Sequence, residues 1–361
     1  MFANEANNVP DVSMVSGMPV KERDFSGSHF DEAPPGTHFV DCNFSNTLWQ
    51  GLTLDSCFFS RCRFDQSEFI GCKFKGVRFD TCGANGTLIV DSDFSECLIE
   101  GGQWTQCSWR SSKFIRMLIN ASSWIHWQIE SCDIQCLTIA RTAIEDWNIA
   151  ASAVHDGSLA ECKILRMFWR NVTMERVIVA NSAFEEVAFL NCQGVNNRWI
   201  GSSGRRMHYE SCALAQSAWS SCQIADWGIS GSQLQIALFD KSILSDSVFD
   251  GLHLYAAAFD GAQLNHCSFR NAQAPHLSFR AASLVECDLR GLVAPDLDAR
   301  GVRLDGCCLS GSRFEDANLL GQDPNDWRDA DVCHAPFAIP SELEDGDWWS
   351  LHRPGRTRKH A

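Results

Sequence analysis

The sequence is poor in tyrosine and proline, with 2 and 10 among its 361 residues, beside 23 phenylalanines and 13 tryptophans. No stretch approaches the 18 or so uninterrupted apolar residues that a membrane-spanning helix needs, so no membrane partner is expected. Met1 to Asp11 has no basic segment backed by an apolar run, and no signal peptide is read there. There is no Cys-x-x-Cys pair, Gly-rich phosphate loop, nucleophile elbow or His-Glu-x-x-His motif, which removes the usual signatures of metal, nucleotide and hydrolytic sites. Cation is also scarce: the net charge of −15 argues against a direct nucleic-acid partner, because phosphate binding needs a basic surface. The 18 cysteines are too dilute for a disulfide scaffold, and without a secretion signal they are expected as reduced thiols in a cytoplasm. An apolar content of 45% with 11% aromatics excludes a disordered chain.

What is present is a repeat of five. Stepping by five from Phe39 gives Phe44, Trp49, Leu54, Phe59, Phe64, Phe69, Phe74 and Phe79, and the series continues without a slip to Phe314 and Leu319. Every one of these centres is apolar except Gly194, Gly204 and the amphipathic Tyr209. Two residues before each centre lies a position that is usually small, and fifteen of the 18 cysteines fall on it. Two residues after the centre, glycine is common, as at Gly51, Gly71, Gly251 and Gly291, which suits a tight turn. Neither the centres nor the small positions hold a single Asp, Glu, Lys, Arg or His, although 21% of the chain is charged. Both positions therefore face a dry core, since an unpaired buried charge is prohibitively costly.

A period of five fits neither a helix nor a simple strand, but it fits a chain that turns a corner every five residues. Four sides close a coil of twenty, and coils stacked at about 4.8 Å pair their backbones with those above and below. The pattern resembles the pentapeptide-repeat family, whose consensus is A(D/N)LXX; Ala317-Asn318-Leu319 and Cys287-Asp288-Leu289 carry the resemblance most closely. It implies an all-β fold, a right-handed quadrilateral β-helix of about 14 coils over 39–321 with short capping segments at both ends. Residues 1–20 are read as a flexible arm and 21–38 as a capping coil, because solenoid ends need cover. Phe25 and Phe30 sit one register off the main series. Residues 322–361 form a C-terminal cap or tail, in which Asp323-Pro324 opens a short helix through Val332.

Mid-chain, the small position departs from the rule: Trp127, Trp147, Met167, Val187, Met207 and Trp227 follow one another at intervals of twenty. Facing positions stay small and two centres become Gly194 and Gly204, so volume is expected to be traded across the core.

The cysteines, all but three at one core phase, read as packing rather than as a site. The histidines of the repeat fall outward, and the column Asp226, Asp246, His266, Glu286 reads as a solvated acidic stripe. No catalytic, cofactor-binding or metal-binding residue is assigned, and the chain is read as a non-enzyme. In the C-terminal coils, Arg270 stacks over Arg290 and Arg280 over Arg300. Several outward positions between 165 and 250 are apolar. The candidate partner-binding residues are Leu165, Phe168, Ile178, Leu238 and Val248 on the walls and Trp348 and Trp349 in the tail. Phe168 and Val248 are expected on one wall, Ile178 and Leu238 on another. The leading reading is a cytoplasmic protein–protein interaction scaffold or adaptor whose partner is a protein; a homodimer through the C-terminal end is one oligomeric state open to it. Long, Cys- and Phe-rich pentapeptide chains resemble accessory proteins of bacterial type VI secretion systems, which implies an adaptor role. The alternative is a DNA-mimicking modulator of a type II topoisomerase, known within the family. A mimic needs a dense one-sign surface, and the −8 carried by 39–321 is dilute.

Overall fold

The computed structural model describes residues 19–32 and 34–335. They belong to two compact units, divided between Ala213 and Leu214. Each is built of parallel β-solenoid turns, about 14 in all, and a single short 3-10 helix is the only helix among the described residues.

The five-residue period has a simple backbone cause. Each regular pentad is a short extended segment around the apolar centre, followed by a residue in the left-handed region. Phe58–Ser60 is followed by Arg61 at φ 53°, and Leu98–Glu100 by Gly101 at φ 67°. That corner interrupts the strand's two-residue alternation, so the centre and the small residue three positions later both point inward. The glycines mark the corner, but its conformation does not depend on them: Asp41, Glu96, Arg116 and His126 adopt it too. An L-residue held there costs on the order of 1–2 kcal/mol, offset by burial on either side and pairing with the adjacent turns.

Turns stack in a register of twenty. In the first unit Phe39 pairs with Phe59 and Phe59 with Phe79; in the second Leu244, Leu264, Leu284 and Leu304 form one column. The first turn is one residue shorter: Val20 pairs with Phe39 and Phe30 with Trp49, an offset of 19. Phe25 and Phe30, out of register in sequence, therefore stack on Phe44 and Trp49, at ring separations of 5.1 and 3.9 Å. The missing residue is absorbed before Thr37, whose carbonyl receives the Phe58 N–H in the regular pattern.

Every repeat centre is buried except Leu304, which lies on the last paired strand of its column, Arg303–Asp305. Aromatic centres stack nearly parallel one turn apart, as Phe39 on Phe59 at 5.0 Å and Phe239 on Phe259 at 4.5 Å. The small position does more than fill space. Its thiol or hydroxyl donates to main-chain carbonyls: Cys62 Sγ lies 3.5 Å from Ser60 O and 3.6 Å from Phe39 O, and Ser67 Oγ lies 2.6 Å from Phe44 O. Cysteine, serine and threonine are thus favoured as small groups that bring a donor to a carbonyl with a spare lone pair.

Volume is traded as expected. Trp127, Trp147, Met167, Val187 and Met207 are all buried in the first unit. A Cβ on Gly204 would sit 2.2 Å from Met207 Sδ, so the glycine makes room for the methionine. Beside the bulky residues the strands lengthen to eight, as in Ala143–Ala150, Lys163–Arg170, Ala183–Leu190 and Ser203–Glu210, and run through the corner.

The end of the second unit differs from expectation. Asp323 caps the helix, accepting from Asn325 N, and Pro324 occupies its first turn, but the helix is a 3-10 turn that stops at Trp327 rather than Val332. Trp327 is buried edge-on against Phe314 at 5.5 Å. With that ring seated, the chain returns to pairing: Asp331 lies beside Arg313, and Phe314 N–H donates to Asp331 O at 2.7 Å.

Gly102 (φ 83°) has no room for a side chain, because a Cβ would fall 1.8 Å from Cys82 O, whereas Gly51 has nothing within 4 Å. Gly102→Ala is expected to lower the stability of the first unit by at least ~2 kcal/mol and Gly51→Ala by ~1 kcal/mol in chemical denaturation. None of the 18 cysteines forms a disulfide, and only Cys136, Cys308 and Cys333 are exposed, with Cys307 half-buried. Burial pushes the Cys97 and Cys107 thiols up to about 11 and about 12. Thiol titration of native protein should therefore show three fast groups and one slow one, the other 14 reacting only in denaturant. Fast reaction of all 18 would contradict the packed columns.

Candidate interaction surface

On the first unit, five successive turns leave a groove of about 590 Å³ in one wall. Its small outward residues are Ser123, Ala143, Ala183 and Ser203, interrupted by Lys163; the parallel lane is Ile125, Glu145, Leu165, Glu185 and Arg205. Short side chains recess one lane while longer ones stand along the other. The eight-residue strands carry this wall into the next through the corner residues Asp146, Arg166, Glu186 and Arg206.

That corner is a ladder of alternating charge. His126 Nδ1 lies 2.9 Å from Asp146 Oδ2, the Arg166 guanidinium bridges Asp146 and Glu145, and Arg206 bridges Glu186 at 2.9 Å and Glu185 at 2.5 Å. The hydrogen bond from Arg166, joined by its charge, holds the Asp146 carboxyl below the usual carboxylate range. A depressed carboxylate is fully ionised at neutral pH, so this pairing is complete there and is lost only as pH falls through the lowered value. The two glutamates of the groove are thereby tied to arginines at its rim. Lys163 makes no ion pair among the described residues, so an unpaired cation lies on the same strand as Leu165.

The residues expected to bind a partner are placed as follows. Leu165 is half-buried and lines the groove. Phe168, on the same strand but past the corner, is 40% exposed and borders a second groove of about 280 Å³ with Arg110, Gln128, Glu130 and Arg170. Ile178 is exposed on a different side, between Ser158 and Arg198, with exposed Ile200 on the neighbouring strand. In the second unit Leu238 and Val248 are both exposed, but with Ile243 they occupy successive sides, paired with Ala258, Ser268 and Gln263 respectively. Only Leu165 and Phe168 are brought close along one strand; the others are dispersed around the turns. Trp348 and Trp349 lie outside the described residues. The groove itself was missed, although the column Ser123, Ala143, Lys163, Ala183, Ser203 announces it once outward residues are compared at intervals of twenty.

The stacked arginines of the second unit are neutralised from two directions. Arg280 reaches Asp260 one turn before it at 3.1 Å, while Arg290 and Arg300 fold back on Asp288 and Asp298, two residues earlier, at 2.5 and 2.9 Å. His266 Nδ1 pairs with Glu286 at 3.1 Å, both exposed. Among the described residues no group of three or more His, Cys, Asp or Glu is arranged to hold a metal.

The pentapeptide-repeat family model matches residues 37–80 and 282–321, in 8 copies. No curated protein sequence matches the chain. Among solved structures, the chain is similar to Rfr23, a pentapeptide repeat protein from the cyanobacterium Cyanothece 51142, at 19% identity over 26% of this chain and 62% of that one, with a TM-score of 0.17. This match thus spans less than two thirds of Rfr23. QnrB1, a plasmid-mediated fluoroquinolone resistance protein, shows 16% identity over 58% of this chain and 93% of that one, with a TM-score of 0.29. HetL of Nostoc sp. strain PCC 7120, a pentapeptide repeat protein involved in heterocyst differentiation regulation, shows 11% identity over 77% and 87%, with a TM-score of 0.20. Both units of this chain thus carry pentapeptide repeats, at residues 37–80 and 282–321, and their five-residue register continues through the sequence between.

Proposed function

We propose that this protein is a non-catalytic, cytoplasmic scaffold that binds a protein partner through the grooved wall of its first unit. The observation that carries the reading is the pairing of Leu165 with Lys163 in that groove. The apolar side chain stands between Glu145 and Glu185, whose charges are held by Arg166 and Arg206, while the cation two residues away has no carboxylate. A partner segment that offers an apolar side chain beside a carboxylate complements both. The groove follows the stacking direction over five turns, roughly 19 Å at the spacing of paired strands, the length of a short extended peptide.

The more specific form of this reading is an adaptor accessory to a bacterial type VI secretion system, which rests on the resemblance of long Cys- and Phe-rich chains. The topoisomerase alternative is less well supported. Acidic residues on the first unit alternate with arginines one turn away, as Asp41 with Arg61, Glu96 with Arg116 and Asp156 with Arg176, and do not build a one-sign face.

A photo-crosslinker at Ala183 in the full chain, expressed in its native host, should trap the partner for identification by mass spectrometry. With that partner purified, Leu165→Glu and Lys163→Glu are each expected to weaken binding about tenfold or more. Ile178→Glu, on another side, should leave binding within about twofold, and all three should keep the wild-type circular dichroism. Unchanged affinity in both groove variants would remove this wall from the reading. Salt-sensitive inhibition of gyrase supercoiling by the wild-type protein would favour the topoisomerase alternative instead.

A further inference from the structure

The second unit carries a groove of a different character. About 440 Å³ in volume, it is lined by Gln233, Gln235, His253, Tyr255, Gln273 and Pro275. It holds no aspartate, glutamate, lysine or arginine, in a unit whose other walls carry the Asp–Arg pairs at Asp260, Asp288 and Asp298. The two lanes come from three successive turns. Gln233 pairs with His253 and His253 with Gln273, so their side chains leave the backbone at intervals of about 4.8 Å. Beside them run Gln235, Tyr255 and Pro275.

Three features make this wall more than ordinary solvated surface. First, among the described residues the three glutamine amides, the His253 imidazole and the Tyr255 hydroxyl make no hydrogen bond to the protein, so their donors and acceptors remain available together. Second, of the chain's 2 tyrosines, Tyr209 is buried in the first unit, whereas Tyr255 is 40% exposed at this groove. Third, the Tyr255 ring is buttressed: it meets His276 edge to face at 5.4 Å, and His276 is itself paired with Asp296 at 3.3 Å. A ring held in this way loses little freedom when a ligand stacks on it.

The chemistry of this set selects among ligand classes. With no charged side chain in the lining, neither a charged peptide nor a phosphate finds a counter-ion here. The lining is equally unsuited to a purely apolar side chain, because burial would strand the amides without partners. Glutamine amides present a donor and an acceptor side by side, which matches adjacent hydroxyls that each donate and accept. An exposed aromatic ring suits the C–H face of a pyranose. We propose that this groove binds a neutral oligosaccharide, with Tyr255 stacking on one sugar ring and Gln233, Gln235, Gln273 and His253 hydrogen-bonding its hydroxyls. The site lies wholly in the second unit and does not depend on the protein-binding reading of the first.

The test is isothermal titration of the full chain with neutral hexasaccharides of glucose, mannose, xylose and N-acetylglucosamine, with hexagalacturonate as the charged comparison. At least one neutral hexasaccharide is expected to bind in the micromolar-to-millimolar range and to perturb tyrosine ring resonances. Tyr255→Ala and Gln273→Ala should each weaken that binding about tenfold without changing the melting temperature. Leu165→Glu, in the other unit, should leave it unaltered. The proposal is overturned if no neutral hexasaccharide binds at millimolar concentration, if only hexagalacturonate binds, or if Tyr255→Ala binds as tightly as the wild type.

Discussion

Parallel pairing of each turn with the next holds every side chain to a column, and the remaining features of the chain answer to that constraint. A residue at a centre has its counterparts twenty positions away above and below, so Phe59 is fixed between Phe39 and Phe79 by backbone hydrogen bonds before side-chain packing is considered. The interior of a turn has a nearly constant cross-section, since strand spacing and corner geometry are set by the backbone. Side-chain volume is therefore balanced around a turn, as where Gly204 leaves the space that the Met207 thioether fills. The same constraint explains the cysteine columns. A thiol is compact, tolerates dry surroundings and still brings a donor to a main-chain carbonyl, as Cys62 does to Phe39 and Ser60.

The columns also organise the surface. Outward residues twenty apart become neighbours, so charge, size and polarity are read along the stacking direction rather than along the chain. At one corner of the first unit this yields a ladder from His126 to Arg206 in which acid and base alternate. One lane over, short residues recess the wall beside Leu165. In the second unit it gathers glutamines from consecutive turns around one tyrosine. Each surface is distinguished by what repeats at twenty, not by any local motif.

Much of this was legible in the sequence. The centres, the small positions and their lack of charge are properties of single residues at fixed spacing, and the structure places all the centres but Leu304 in the core. The offset of Phe25 and Phe30 was visible too, and so was the Asp323 cap. What escaped notice depended on the corner. Residues five apart stand on successive sides: Leu238 and Val248, expected on different walls, pair with Ala258 and Ser268, and Ile243 stands on the side between them. Trp327 escaped because the repeat was read as ending at residue 321, although Trp327 keeps the phase of the small positions; it is buried against Phe314 at the end of the short helix that precedes the final pairing. The partners of Arg290 and Arg300 were missed because Asp288 and Asp298 lie two residues before them in the chain, whereas a comparison at intervals of twenty looks only to the adjacent turns.

The shortened first turn shows how such a chain can tolerate length variation. A turn of 19 still pairs with the turn that follows it at Val20, Lys21, His29 and Phe30, because the loss of one residue shifts these positions together. In the interior the same loss would have to be reconciled with the turns on both sides at once, where aromatic stacks and cysteine columns fix the alignment. A lineage of such proteins can therefore gain or lose single residues at the first turn, while between turns it changes length only by whole pentads or whole coils.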